Sequence, residues 1–432
     1  MAKKSLSKEI RSKKIRVLAY CDSPTCATGF GTVSRNIFEA LHKTGRYEID
    51  ILGINFWGDP HSFPYRIWPT GINNDRDPYG RKKVMSMIPN MEFDILFLLQ
   101  DSFILDFMPT IIPRLQGAGK KFKSICYYPI DGRPKVDWIK NINFADYPVA
   151  YTQYGADQSK DVYPECKDLE IIPHGVNIND FKVLPEEDVM NFKKMYFGKH
   201  ADKFIVTNVN RNQHRKDIPR TIAAFKEFRK KVPNSLLYLH MAPQDQGWNL
   251  LEVIKAFGLT GEDVIFPANF GPNQGYPREI VNMLYNASDL VISSALGEGW
   301  GLAWVEAMAT KTPVLMPNNT AITENITEDK GYLCGSGTNP SLFTVLPHDN
   351  EVVRPLVDVE DMAAKMVHIY ENYGEALVKA DKAYSWVREE LNWQGNVGKK
   401  WVSLFDKAYA DLLETRINKD NPEAKVIETE NF

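Results

Sequence analysis

The run Ser293-Ser-Ala-Leu-Gly-Glu-Gly-Trp-Gly-Leu-Ala-Trp-Val-Glu-Ala-Met-Ala-Thr-Lys-Thr-Pro-Val-Leu holds the densest chemistry in this chain. A strand is expected to end at Ser293, a loop with Gly297, Gly299 and Gly301 follows, and a helix begins near Leu302. Glycines at alternate positions let backbone amides face a ligand with no side chain in the way. A helix N-terminus adds partial positive charge, so the place suits an anion such as a diphosphate. On the helix, Leu302, Val305 and Ala309 form the inward stripe, and Glu306 lies on the side of Leu302. A carboxylate on a buried face needs hydrogen-bond donors. Two neighbouring sugar hydroxyls would supply them; backbone amides or an arginine would serve equally, and these residues alone leave both readings open.

Elements on both sides must hold such a loop in place. Ile15–Tyr20, Tyr47–Gly53, Ile95–Leu99, Ser124–Tyr128 and Pro148–Tyr151 read as strands, with an amphipathic helix over Thr32–Lys43. The pattern restarts with strands at Phe204–Asn208, Leu236–His240, Val264–Phe266, Leu290–Ser293 and Pro313–Met316. Helices at Arg220–Lys230, Leu250–Phe257, Arg278–Asn286 and Leu302–Thr310 alternate with them. Such alternation predicts parallel α/β layers. The expected organisation is a basic arm over 1–14, a Rossmann-like domain over 15–180, and a charged linker over 181–202. A second Rossmann-like domain over 203–375, C-terminal helices over 376–416 and a flexible polar tail over 417–432 complete it. Ligands of open parallel sheets sit outside the carboxyl ends of the strands, so both units would face one cleft.

The loop and helix resemble the donor-site signature of glycosyltransferase family 4, the large retaining group with the GT-B fold. Its pattern stands here as Glu298-Gly-Trp-Gly-Leu, Glu306-Ala-Met-Ala and Pro313-Val314, with Lys311 where a glycine is usual. The resemblance implies two facing Rossmann-like domains and a sugar moved from a nucleotide donor to a hydroxyl acceptor, with retention and without a metal. It also implies that Glu298 holds donor-sugar hydroxyls, that Glu306 holds the ribose, and that the amides of Gly299, Trp300, Gly301 and Leu302 face the phosphates.

Other segments follow from the same likeness. Family members carry an Arg and a Lys about five residues apart that neutralise the diphosphate; Arg211 and Lys216 match, with His214 and Arg215 as adjacent alternatives. Paired cations at a strand end stabilise a leaving group as charge develops, although a solvated basic loop is the ordinary reading of such a cluster. Gly29 and Gly31 fit the family's N-terminal glycine-rich loop; the stretch is neither a P-loop nor a full dinucleotide fingerprint. Asp131 stands near the place where relatives have a histidine close to the anomeric carbon. Asn269 lies in the segment that holds the nucleobase in relatives, and His174 lies in the crossover segment Ile172-Pro-His-Gly-Val-Asn. His174 reads first as a hydrogen-bonded structural histidine and only second as a participant in the chemistry.

Composition narrows the field further. The chain has 432 residues, 44% hydrophobic and 25% charged, which excludes collagen-like, disordered and disulfide-scaffold classes. Its net charge of −3 disfavours a uniform nucleic-acid-binding field. The patches Lys3–Arg16, Arg81–Lys83 and Lys120–Lys123 keep a hydroxylated DNA base as an unfavoured acceptor. Five spread cysteines without a CxxC pair read as reduced thiols. The apolar run Val17–Tyr20 is too short for a signal core, and Gln100, Asp101 and Asp106 interrupt Ile95–Ile112, so a cytoplasmic protein without a transmembrane segment is expected. Asp75-Arg-Asp77 reads as a turn and the histidines show no ligand spacing, so no metal and no cofactor is expected beyond a UDP-, GDP- or ADP-sugar donor. A non-hydrolysing sugar-nucleotide epimerase and a non-catalytic nucleotide-sugar-binding protein are the competing classes.

Overall fold

The apolar runs pair as two parallel sheets wound the same way. The computed structural model describes residues 14–72, 76–268, 270–271 and 275–420, with side chains described as far as 416. The first sheet contains β1 (Ile15–Asp22), β2 (Tyr47–Ile54), β3 (Arg66–Pro69), β4 (Ile95–Leu99), β5 (Lys123–Tyr128), β6 (Tyr147–Ala150) and β7 (Glu170–Ile171). Its order is β3-β2-β1-β4-β5-β6-β7. The second contains β8 (Phe204–Val209), β9 (Ser235–His240), β10 (Val264–Ile265), β11 (Leu290–Ile292), β12 (Val314–Pro317) and β13 (Tyr332–Cys334), in the order β10-β9-β8-β11-β12-β13. Each sheet thus begins in its middle and reverses direction beside its first strand. The crevices outside β1/β4 and β8/β11 are the switch points at which open parallel sheets take ligands.

Burial explains the strand composition. β4, β6 and β9 are buried throughout, as expected of strands covered by helices on both faces. The short edge strands β3 and β7, the strand β13 and the antiparallel hairpin of β14 (Phe343–Val345) and β15 (Val353–Pro355) add to the expected elements. Two to four residues carry too little alternation to announce a strand, and β3 ends in a proline suited only to an edge.

Local chemistry sets the helix starts. The helix Gly29–Lys43 begins three residues before the periodic stripe, because Thr28 caps it: its Oγ1 accepts from Gly31 N at 3.0 Å. Segment 181–202 contains the helix Glu186–Phe197, whose Phe192 and Phe197 are buried with Ile205, Leu236 and Tyr238. Near 391–398 the chain returns to the first sheet, with Val176 N donating to Leu391 O at 2.6 Å and Trp393 N donating to Val176 O at 3.1 Å. The final helix, Gly398–Asp420, then lays Trp401 and Phe405 on Phe97 and Tyr127 of that sheet. The two sheets are therefore joined by two adjacent crossings, at 172–181 and 391–398.

Candidate functional site

The carboxyl ends of β1, β4, β5, β8 and β11 bring the chemistry-bearing loops together. Beyond β8, a 3-10 turn over His214–Lys216 closed by left-handed Asp217 (φ 45°) turns both Arg215 and Lys216 inward. Beyond β11, Glu298 is 8% exposed and lies against them. Lys216 Nζ bonds Glu298 Oε1, and Arg215 Nη1 lies 3.2 Å from Glu298 Oε2. Arg215 also donates to Gly297 O, and its Nε lies 3.2 Å from Asp131 Oδ2 on the opposite side. Arg354 Nη1 reaches Asp131 Oδ1 at 3.0 Å.

Ionisation follows from these pairings. Burial pushes Glu298 up, but Lys216 and Arg215 outweigh it and hold the carboxyl below its ordinary value. Asp131 is likewise held down against burial by Arg215 and Arg354. Burial and then the adjacent Arg215 press the Lys216 ammonium down.

The glycines allow the loops to meet. A Cβ on Gly299 would lie 2.9 Å from Pro129 Cβ, and one on Gly297 would lie 2.1 Å from Asp131 O. Gly301 has φ +102°, and a Cβ there would fall 1.6 Å from the Trp304 ring, so only glycine fits. The helix Leu302–Met308 then starts without a side-chain cap. Across from it, Gly29 looks onto Leu302, whose Cδ1 is 3.6 Å from the Gly29 Cβ position. Gly31 is packed on Ser23 O and Cys26 O, where a Cβ would clash at 2.9 and 2.7 Å. Trp300 is buried, its Nε1 without a hydrogen-bond partner among the described residues, its ring edge-on to His174 with centroids 5.7 Å apart.

Glu306 occupies a separate end of the site. Among the described residues it takes one hydrogen bond, from Tyr285 Oη at 3.1 Å. Burial raises it to about 7, with Tyr285 and Arg278 opposing weakly. Arg278, at the first turn of the helix Arg278–Asn286, pairs with Asp180, and its Nη2 is buried without a hydrogen-bond partner among the described residues.

One expected site residue, Arg211, sits differently, and His174 sits as the structural histidine it first reads as. Arg211 forks onto Asp245 at 2.6 and 3.1 Å, and the guanidinium beside Lys216 and Glu298 is that of Arg215. His174 is buried and faces Tyr127 Oη at 2.7 Å. Since Tyr127 donates its proton to Ile172 O at 2.7 Å, His174 Nδ1 must be the donor to Tyr127. Burial lowers this imidazole to about 3, so it is neutral at ordinary pH. Asn269 and Asp75 lie outside the described residues. Asp77 instead accepts from Arg81 N at 3.0 Å and Lys82 N at 2.9 Å, capping a helix.

Sequence reasoning missed Asp22, Asp101 and Arg354. Asp22 ends β1, is 6% exposed and accepts from Thr28 Oγ1 at 2.7 Å. Asp101 follows β4, and burial, then the nearby Asp131, lift it to about 7. Both close strands that flank a switch point, a positional signal the sequence itself carries; Arg354 gives no such signal. Among the described residues no group of three or more potential metal ligands assembles, and no helix is long and apolar enough to cross a membrane. A groove of about 490 Å³ lined by Asn36, Ala40, Trp393 and Val402 lies apart from these loops, between the first and last helices.

Residues 191–344 match the sequence model of glycosyl transferases group 1. The match spans the second of two facing Rossmann-like sheets; the sheets and the C-terminal helices together form a GT-B fold, and the matched region is that of a glycosyltransferase. A probable sucrose-phosphate synthase from Thermosipho melanesiensis is 26% identical over 337 residues, 69% of this chain and 69% of that protein. The sucrose-phosphate synthase of Thermosynechococcus elongatus has the same fold, with TM-score 0.71 and 17% identity over 92% of this chain and all (100%) of that one. HepE from Anabaena, solved with UDP and glucose, superposes with TM-score 0.67 and 15% identity over 91% of this chain and 100% of its own.

Proposed function

We propose that the protein moves a glycosyl group from a nucleoside-diphosphate sugar to a hydroxyl acceptor, with retention of anomeric configuration and with side-chain cations in the place of a metal. One observation carries this reading: Lys216, Arg215, Glu298 and Asp131 form a single charge network between the facing loops of the two sheets. A donor diphosphate entering there exchanges the carboxylates for phosphate oxygens on Lys216 and Arg215. Glu298 is then free to accept hydrogen bonds from sugar hydroxyls, and Glu306 to accept from the ribose. As the bond from the anomeric carbon to the diphosphate oxygen breaks, the two cations stabilise the charge developing on that oxygen. The acceptor hydroxyl adds on the same face, and its proton passes to a phosphate oxygen. Rate enhancement then comes from positioning and preorganised charge.

UDP-glucose is the first donor to test, because HepE of this fold has been solved with UDP-glucose. Of the basic patches considered for a DNA-base acceptor, Arg16, Arg81, Lys120 and Lys123 each pair with a carboxylate, and residues 3–13 lie outside the described residues. Incubation with UDP-, GDP- and ADP-glucose, with and without sugar acceptors and EDTA, tests the proposal. We expect donor consumption that persists in EDTA and a product whose anomeric proton coupling matches that of the donor. Nucleotide binding without consumption of any donor would instead indicate a binding protein.

A further inference from the structure

The β14–β15 hairpin leaves the second sheet after β13 and reaches the loop that follows β5 of the first. Its turn places His348, Asn350 and Glu351 in the left-handed region at φ 63°, 55° and 58°. This folds Asp349 back onto its own strand: Oδ2 accepts from Arg354 Nε at 2.7 Å and Oδ1 from Nη2 at 3.0 Å. The fork is thereby oriented with Nη1 free to project away from the hairpin. Nη1 meets both the carbonyl and the carboxylate of Asp131. The Arg354 side chain is only 3% exposed, and it fits because Gly132 and Gly297 flank it. A Cβ on either glycine would lie 2.9 Å from Nη1. Val352 and the exposed pair Lys135–Glu351 seat the same hairpin on the first half.

We propose that Arg354 is a positioning residue that fixes the Asp131 carboxylate, as an anion, against the donor sugar. This rests on the glycosyl-transfer reading. In the free protein Asp131 is shared between Arg215 and Arg354. Donor diphosphate competes for Arg215, and Arg354, anchored separately by Asp349, stays behind as the counter-ion. The groups facing Asp131 are Arg215, Lys216 and Arg354 on the cationic side, and Glu298, Asp101 and Tyr154 on the acidic side. Without Arg354, and with Arg215 and Lys216 occupied by phosphate, the acidic side prevails. Asp131 then takes up a proton and no longer holds a sugar hydroxyl as an anionic acceptor.

Arg354→Met and Arg354→Lys, each also in an Asp131→Asn background, test the proposal. Arg354→Met should lower kcat about 10- to 100-fold with donor KM changed less than about 3-fold, and shift the acid limb of kcat, which reports the donor-bound enzyme, upward by about one pH unit. Arg354→Lys should recover part of the loss, and in Asp131→Asn the second substitution should cost little more. An unmoved acid limb, or an equal loss in the Asp131→Asn background, would overturn the assignment. Should Arg354→Met fail to fold, Asp349→Asn loosens the same fork, and a smaller shift of the limb in the same direction is expected; no shift counts against the proposal. If the wild-type protein consumes no nucleotide sugar, the transfer reading falls by itself. The Asp131 carboxyl, followed by 13C NMR in wild type and the foldable variant, still decides: a higher midpoint in the variant supports the role of Arg354, and an unchanged one refutes it.

Discussion

The two ends of the proposed donor site contrast in how their charges are met. At the end formed by Arg215, Lys216, Glu298, Asp131 and Arg354, every charged group has an opposite partner across 2.7–3.2 Å or closer. At the other end, Glu306 has a tyrosine hydroxyl, burial raises it to about 7, and Arg278 Nη2 is buried without a partner among the described residues. The first end is a set of ion pairs that a charged ligand must exchange; the second is short of partners that a ligand would supply. Preformed ion pairs fix side chains in place and leave the net cost of bringing in a diphosphate small, since one anion replaces another. A carboxyl near neutrality, by contrast, makes binding there depend on pH.

Removing a charge from the exchanged end should have the largest effect. Lys216→Met is expected to reduce kcat about 10³-fold, because one preorganised donor to a developing oxyanion is worth that order. Steady-state assay with donor alone and with acceptor checks it. A near-normal rate would dissolve the contrast between the two ends. Next comes a choice between two arginines. Arg215→Met should cost about 10²-fold in kcat, whereas Arg211→Met, which releases Asp245, should stay within about 5-fold. The reverse ranking would show that donor binding rebuilds the loop around Arg211.

At the other end, Glu306→Gln is expected to weaken nucleoside-diphosphate binding about 10-fold at pH 8. Because burial holds the wild-type carboxyl near about 7, its protonated form dominates below that value and its ionised form above it. Acceptance from two ribose hydroxyls needs the ionised form, so wild-type affinity should rise between about pH 6 and pH 8 by more than the ligand's own ionisation explains. The glutamine variant should lose that excess slope in calorimetric titrations. The folded-state value lies above the unfolded one, so this group also makes the free protein less stable as pH rises from about 4.5 to about 7.

This contrast also marks where sequence reading succeeds. The run from Ser293 to Val314 is contiguous, so loop, helix start and the eight-residue spacing of Glu298 and Glu306 are all local, and the expected strands agree with β8 to β12 to within a residue or two. Long apolar strands buried on both faces announce themselves in the same way. Arg215 reads in the sequence only as an alternative to Arg211, because spacing along the chain does not reveal that Asp245, beyond the next strand, captures one of them. Asp131 and Arg354 are 223 positions apart, and Arg354 sits in a three-residue strand, which carries no periodicity. The return of the last helix to the first sheet is similarly non-local: its Trp401 and Phe405 stripe says that something is buried, not which sheet buries it.

The smallest expected effect concerns His174, whose ring lies edge-on to Trp300 of the glycine-rich loop. Its imidazole is neutral, with Nδ1 engaged by Tyr127 and burial holding it at about 3. A group in that state has no proton to exchange at neutral pH, so His174→Asn should keep kcat within about 5-fold and leave the pH–rate limbs in place; loss by about 10² or more would make it a direct participant. Its trace should instead be thermodynamic. The unfolded imidazole binds a proton below about 6.5 and the buried one does not until about 3, so the unfolded state carries more protons across that window and wild-type stability rises with pH there. Towards acid, this one group removes up to about 1.4 kcal/mol per pH unit. Urea unfolding at about pH 5 and pH 7 should therefore show a shallower acid loss in His174→Asn than in wild type, even if the variant starts lower because ring packing on Tyr151 and Trp300 is gone.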